Sequence, residues 1–236
     1  MMPITLMAFQ GHARAEFPRE CCGLIVVMHG KERYVRCRNI SESAEHFILH
    51  PADYAAAEDL GEIIAICHSH PNIAAIPSEA DLAGCEASDI EWHILNVHAE
   101  GVGALYSFKP SGWTAPLLGL PFSHGVHDCY SLVQRYYRQE LDIDLPDFAR
   151  DEKWWEKGQN LYLENFEKAG FVQVDDLHEH DGILMKLASP VPNHAAVYVG
   201  NNQIVQHIMN RLSSRDVWGG WYQKIAVAFV RHRSLL

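Results

Sequence analysis

Positive charge is scarce in this sequence: 19 Lys and Arg stand against 30 Asp and Glu, for a formal net charge of -11. Nucleic-acid affinity rests on Lys and Arg neutralising phosphates and releasing counterions, so no nucleic-acid partner is expected. Long apolar runs are also missing. No segment is apolar for long enough to cross a bilayer, and MMPITLMAFQGHARAEF at the start has no basic stretch followed by an apolar run and a cleavage site. The expectation is a chain made in the cytosol as a soluble protein, without membrane insertion. Cysteine is sparse and unevenly placed, with Cys21, Cys22, Cys37, Cys67 and Cys85 before residue 100 and Cys129 alone beyond it. No pair has CxxC spacing and no disulfide framework is indicated, so the first five read as small buried hydrophobes. There is no internal repeat and no low-complexity tract.

What is present is core material. A 48% hydrophobic content over 236 residues suffices for one large domain or two small ones. Residues 3–15 read as a helix, FPRECCGLIVVMHG and ERYVRCRN as a hairpin, PADYAAAEDLGE as a helix ending at Gly61, and IIAICHSH as a buried strand. SEADLAGCEAS then predicts a helix, and EWHILNVH and ALYSF predict closing strands. The pattern breaks in KPSGWTAPLLGLPFSHG, which is too rich in proline and glycine for a regular element. Beyond it come two helical patterns, DCYSLVQRYYRQEL and NLYLENFEKAG, and then the strands FVQV, GILMKL, HAAVYVG, QIVQHI and IAVAFVRH. We therefore expect an α+β chain with a first domain over residues 1–110, a linker over 111–124 and a second domain over 125–236, the latter with helices packed on an antiparallel sheet.

The sharpest chemical signal is CHSHPNIAAIPSEAD. His68 and His70, two apart on a strand, project from one face, so both imidazoles can meet one ion; Asp81 from the next helix can complete the set. Two His and one Asp give zinc three protein ligands and leave the fourth position that a catalytic site needs. Glu20, before the first strand, is the candidate general base. Ser78-Glu79-Ala80-Asp81 also matches a helix-capping box, a purely structural use of the same residues.

These residues, with FPRECCGL upstream, resemble the JAMM motif of the Mov34/MPN metallopeptidases over about residues 1–108. The resemblance implies an α/β sandwich with a mixed sheet, zinc (Zn2+) on His68, His70 and Asp81, Glu20 as base and Ser78 helping to hold the oxyanion. It also implies cleavage of peptide or isopeptide bonds, often beside a ubiquitin-like fold.

In the second half Cys129 heads an amphipathic helix with Asp128 as its N-cap, where the helix dipole is expected to lower the thiol pKa. His194 and His207, on what reads as one hairpin, can supply a base and a residue that orients its ring. A histidine-rich stretch, HEHD at residues 178–181, precedes them in a loop-like setting without obvious open ligand geometry. A Cys at a helix start, a His at the start of a later strand and a polar residue on the next strand resemble the NlpC/P60 papain-like peptidases. That resemblance covers about residues 120–236 and implies Cys129 as nucleophile, His194 as base and His207 as the third residue. The family usually has a small residue and Gly after the Cys, where this chain has Tyr130 and Ser131.

The two domains in this order resemble tail-tip proteins of lambda-like phages. This implies work in the host cytoplasm during assembly or at the virion tail tip, other tail-tip proteins and a ubiquitin-like tail assembly protein as partners, and peptidoglycan stem peptides as substrate. A structural docking or chaperone role with silent sites is the alternative.

Overall fold

A computed structural model describes residues 1–44 and 46–236. The chain divides into two compact units, Met1–Trp113 and Thr114–Leu236. The fold class is the expected one: a mixed sheet with helices in the first unit, and helices on an antiparallel sheet in the second.

The first unit runs α1 (Pro3–Glu16), β1 (Cys22–Met28), β2 (Lys31–Cys37), α2 (Pro51–Leu60), β3 (Glu62–Pro71), α3 (Glu79–Ser88), β4 (Glu91–His98) and β5 (Gly101–Phe108). Its sheet has the order β2-β1-β3-β4-β5. Every neighbouring pair is antiparallel except β3 and β4, which are parallel because α3 returns the chain between them. The central strands are buried on both faces, so β1 reads as the continuous apolar run CGLIVVM rather than an alternation. Side-chain alternation divides the core in two. Cys21, Ile25, Ala65, Cys67, Leu95 and Val97 face Phe9 and Ala13 of α1. Cys22, Leu24, Val26, Ile66 and Trp92 face Ala57 of α2 and Cys85 of α3. The five cysteines expected to be buried hydrophobes are buried and free.

The second unit contains α4 (Cys129–Leu141), α5 (Leu161–Asn165), β6 (Phe171–Val174), β7 (Gly182–Met185), β8 (His194–Tyr198), β9 (Gln203–Gln206), β10 (Ser214–Val217), α6 (Trp221–Ile225) and β11 (Ala226–His232). The sheet order is β10-β9-β8-β7-β11-β6, and all pairs are antiparallel. Asn201 and Asn202, both at positive φ, make the turn that joins β8 to β9. Leu132, Val133, Tyr136 and Tyr137 form the buried stripe of α4 and pack with Ala195, Val197 and Val205. The helix expected over NLYLENFEKAG is confined to the five residues of α5, followed by a turn closed by Gly170 at positive φ. β10 and α6 were not anticipated.

Residues 111–124, expected as a linker, are tied down at both ends. The Ser111, Gly112 and Trp113 amides donate to the Glu86 carboxylate in the first unit. In the second, Gly119 and Leu120 bond to Ser213, and Leu120 is buried. No helix among the described residues is long and apolar enough to cross a membrane.

Candidate active sites

His68 and His70 lie at the end of β3 on the face that carries Ile66, turned towards α3. Asp81, in the first turn of α3, meets them there. His68 Nε2 lies 3.1 Å from His70 Nε2 and 3.1 Å from Asp81 Oδ1, and His70 Nε2 is 3.5 Å from Asp81 Oδ2. A tetrahedral zinc ion with bonds of about 2.0–2.1 Å holds its ligand atoms about 3.3–3.4 Å apart, so these three fit the ion. Among the described residues this is the one group of His, Cys, Asp and Glu so gathered. The HEHD stretch is not gathered in this way: His178 pairs with Asp176, and His180 Nδ1 bonds to the Tyr136 hydroxyl.

The surroundings fix each of the three side chains. His70 Nδ1 donates to the Ala74 carbonyl at 3.0 Å, which leaves Nε2 with its lone pair towards the site. His68 is fully buried, stacked on Phe47 at 4.7 Å and met edge-on by Trp92. Burial resists ionisation of Asp81, but the two imidazoles and the Ser78 amide outweigh it and hold the carboxyl well below the usual range. Burial pulls His68 below the ordinary histidine value; for His70 burial is outweighed by Asp81 and the Ala74 carbonyl, and its value rises.

Ser78 caps α3, the structural use that its spacing also allowed. Its hydroxyl donates to Asp81 Oδ2 at 2.8 Å and accepts the Asp81 amide, forming the capping box, so its single proton is spent on the carboxylate. The capping box thus leaves Asp81 Oδ1 turned to His68 while Oδ2 takes the Ser78 hydroxyl. Glu20 is buried one residue before Cys21, whose amide donates to the Ser69 hydroxyl and whose carbonyl accepts from the Ser69 amide. The Glu20 amide donates to the Ala44 carbonyl, and its carbonyl accepts from Asn39 Nδ2.

In the second unit Asp128 caps α4, as expected, with the Ser131 and Gly125 amides and the Arg150 guanidinium on its carboxylate. Burial opposes its ionisation, but the charge and hydrogen bonds of Arg150 hold the carboxyl below its usual value. Cys129 opens the helix and lines a cavity of about 420 Å³ with His194, His207 and Tyr162. Tyr162 was missed in the sequence. Its hydroxyl lies 3.1 Å from the Cys129 sulfur, and the Ala195 amide also points at the sulfur. The thiol is not acidified as its helix position led us to expect. Burial and the Asp128 charge push it up to about 11, against the smaller opposing effects of Tyr162, Ala195 and Arg150.

His194 is also buried, and burial lowers it to about 4. Its Nε2 bonds at 3.0 Å to Gln206 Oε1, so the partner expected at His207 is Gln206 instead. Strand register is the cause. β8 and β9 pair Ala196 with Gln206 and Tyr198 with Ile204, so Gln206 shares the face of the even-numbered β8 residues, His194 among them, whereas His207 lies just past the end of β9. His207 is fully buried, packs edge-on against Phe122 and makes no hydrogen bond to His194.

The comparisons with known proteins agree with this division. Residues 4–108 match the family described as prokaryotic homologs of the JAB domain, and residues 119–231 match the NlpC/P60 family. The chain thus joins a JAB-type domain to an NlpC/P60 domain. It belongs to the family of tail tip assembly protein K. The protein of that name from Escherichia phage N15 is 40% identical over 98% of this chain and 95% of its own length. The one from Escherichia phage lambda is 38% identical over 78% of this chain and 89% of its own length. Among solved structures, an NlpC/P60 family protein from Bacillus cereus is 13% identical, covering 94% of this chain and 66% of its own, with a TM-score of 0.35, too low to define a shared fold.

Proposed function

We propose that this chain acts in phage tail-tip assembly or cell entry as a hydrolase with two sites, a cysteine endopeptidase and a zinc metallopeptidase. Its relatives' name supports the setting: host cytoplasm during assembly, then the virion tail tip, with other tail-tip proteins as partners. The observation that carries the peptidase reading is the cavity that gathers Cys129, Tyr162 and the Gln206-bound His194.

With the thiol near 11 and the imidazole near 4, the resting pair is neutral. The sulfur electron pair attacks the scissile carbonyl carbon while the S–H proton passes to His194 Nδ1, the nitrogen left open by Gln206. The C–N bond then breaks, and the leaving amine takes that proton. Water attacks the resulting thioester and gives a proton to Nδ1; the C–S bond breaks and the thiol is restored. Tyr162 donates to the sulfur as negative charge develops there. Stem peptides of peptidoglycan are the proposed substrate. Digestion of purified peptidoglycan should release soluble stem peptides, and Cys129→Ala should stop it; release unaffected by that change removes Cys129 from the mechanism.

The spacing of His68, His70 and Asp81 supports the second site. A zinc ion held by these three would supply Lewis-acid polarisation of a carbonyl and acidify water. Glu20 is the proposed proton acceptor, Ser78 positions Asp81, and a ubiquitin-like tail assembly protein is the proposed partner. About one zinc per chain is expected by elemental analysis, lost on His68→Ala or Asp81→Ala. Equal zinc in wild type and both variants would contradict the assignment.

A further inference from the structure

A glutamine beside a catalytic histidine has a polarity problem that a carboxylate would not have. If its carbonyl oxygen faces His194 Nε2, that nitrogen carries the proton and Nδ1 keeps the lone pair a base requires. If the amide is turned over, Nε2 must accept, the proton moves to Nδ1, and the imidazole cannot take a proton from the thiol. Nothing in the amide itself chooses between the two.

The choice is made one step further out. Gln206 is fully buried, and its Nε2 lies 2.6 Å from Asp216 Oδ2. A carboxylate has no proton to give, so only the NH2 end of Gln206 can face it, and Oε1 is left for His194 at 3.0 Å. Asp216 is itself held. It sits in β10, whose pairing with β9 sets Ser214 opposite Gln206 and Asp216 opposite Ile204. The Ser214 hydroxyl donates to Oδ2 at 2.9 Å, the Tyr222 hydroxyl from α6 reaches the same oxygen at 3.4 Å, and Arg211 stands 4.0 Å from Oδ1.

We propose that Asp216 is a positioning residue for Cys129 chemistry: it fixes the orientation of the Gln206 amide and, through it, keeps the His194 proton on Nε2. This rests on the reading of Cys129 and His194 as the working pair. The other groups acting on His194 are His207, the residue that follows Gln206 in the chain, and Asp128; the hydrogen bond of the Gln206 NH2 end is to Asp216. Asp216→Asn is nearly isosteric but presents either a donor or an acceptor, so it releases the amide to turn.

The test is the pH profile of Cys129 alkylation by iodoacetamide in the full chain, followed by mass spectrometry. No peptide substrate is needed. In wild type, proton acceptance by His194 gives a plateau at neutral pH, with a separate rise at high pH as the thiolate forms. Asp216→Asn should lower the plateau about 10–100-fold, the range for outer-shell partners of an oriented histidine, and leave the high-pH limb unchanged. Asp216→Glu, still acceptor-only, should restore much of it. A purely structural role for Asp216 would shift melting temperature without this selective loss. In a Gln206→Glu background the acceptor is present at either end, so adding Asp216→Asn should lower the plateau no further; this pair of variants decides the matter even where Asp216→Asn alone folds poorly. An Asp216→Asn profile that superimposes on wild type overturns the proposal. A His194→Ala profile that superimposes on wild type overturns the pair itself; imidazole 15N shifts of His194 then still report whether Asp216→Asn moves the proton off Nε2.

Discussion

Burial decides how the individual residues of the second unit behave. Tyr162 places its hydroxyl 3.1 Å from a sulfur whose ionisation is otherwise opposed, so it is the nearest side-chain donor to developing thiolate charge. Tyr162→Phe removes that donor and little volume. We expect about a tenfold slower alkylation of Cys129, corresponding to one lost hydrogen bond of roughly 1.4 kcal/mol to a charged group; an unchanged rate would remove Tyr162 from the site. His194 and His207 are both held near 4 in the folded chain, chiefly by burial, against an ordinary value of 6.5. The unfolded chain therefore takes up protons at these positions as pH falls below about 6.5, whereas the folded chain resists until about 4. Stability of the second unit should be full above that window and lost progressively as pH drops through it. His207→Asn should flatten the dependence in urea melts between pH 7 and pH 4.5; an identical slope in the variant would contradict the assignment. The His207 role was misread for a reason of register: periodicity marks a strand, but only the pairing of Ala196 with Gln206 tells which of two adjacent polar residues faces His194. Cys129 was legible as a helix-cap cysteine, whereas its raised pKa was not, because the burial that raises it exists only once the chain has folded.

Among the elements, α3 carries the most responsibility for the proposed metal site, because its first turn holds Asp81 and its middle must lie close to β4. Gly84 permits that approach: a Cβ there would stand 2.6 Å from Cη2 of Trp92, the ring that also borders His68. Helix propensity alone favours alanine over glycine by about 1 kcal/mol. Overpacking against a buried ring costs about 1–3 kcal/mol, so the clash should win and Gly84→Ala should destabilise the first unit. A variant with a raised midpoint in denaturant would show that Trp92 yields instead. Elements of this kind were largely readable in advance. Pro51 and Gly61 bracket α2, the capping box marks the start of α3, and the HxH spacing sets two imidazoles on one face of β3. Short pieces escaped. SRDV and WYQKI, in β10 and α6, are too brief and too mixed for periodicity to mark, yet they bring Asp216 and Tyr222 to the Gln206 amide.

On the scale of the whole chain, each unit has its own sheet and its own core, and each candidate site lies inside one unit. The JAB-type and NlpC/P60 matches fall on either side of residues 109–118. The two proposed sites can then be disabled separately. The most direct measurement is mass analysis of the products from one peptidoglycan preparation treated with wild type, Cys129→Ala and His68→Ala. The account predicts the same newly released stem peptides from wild type and His68→Ala, and none from Cys129→Ala. Stem peptides released undiminished by Cys129→Ala would contradict it.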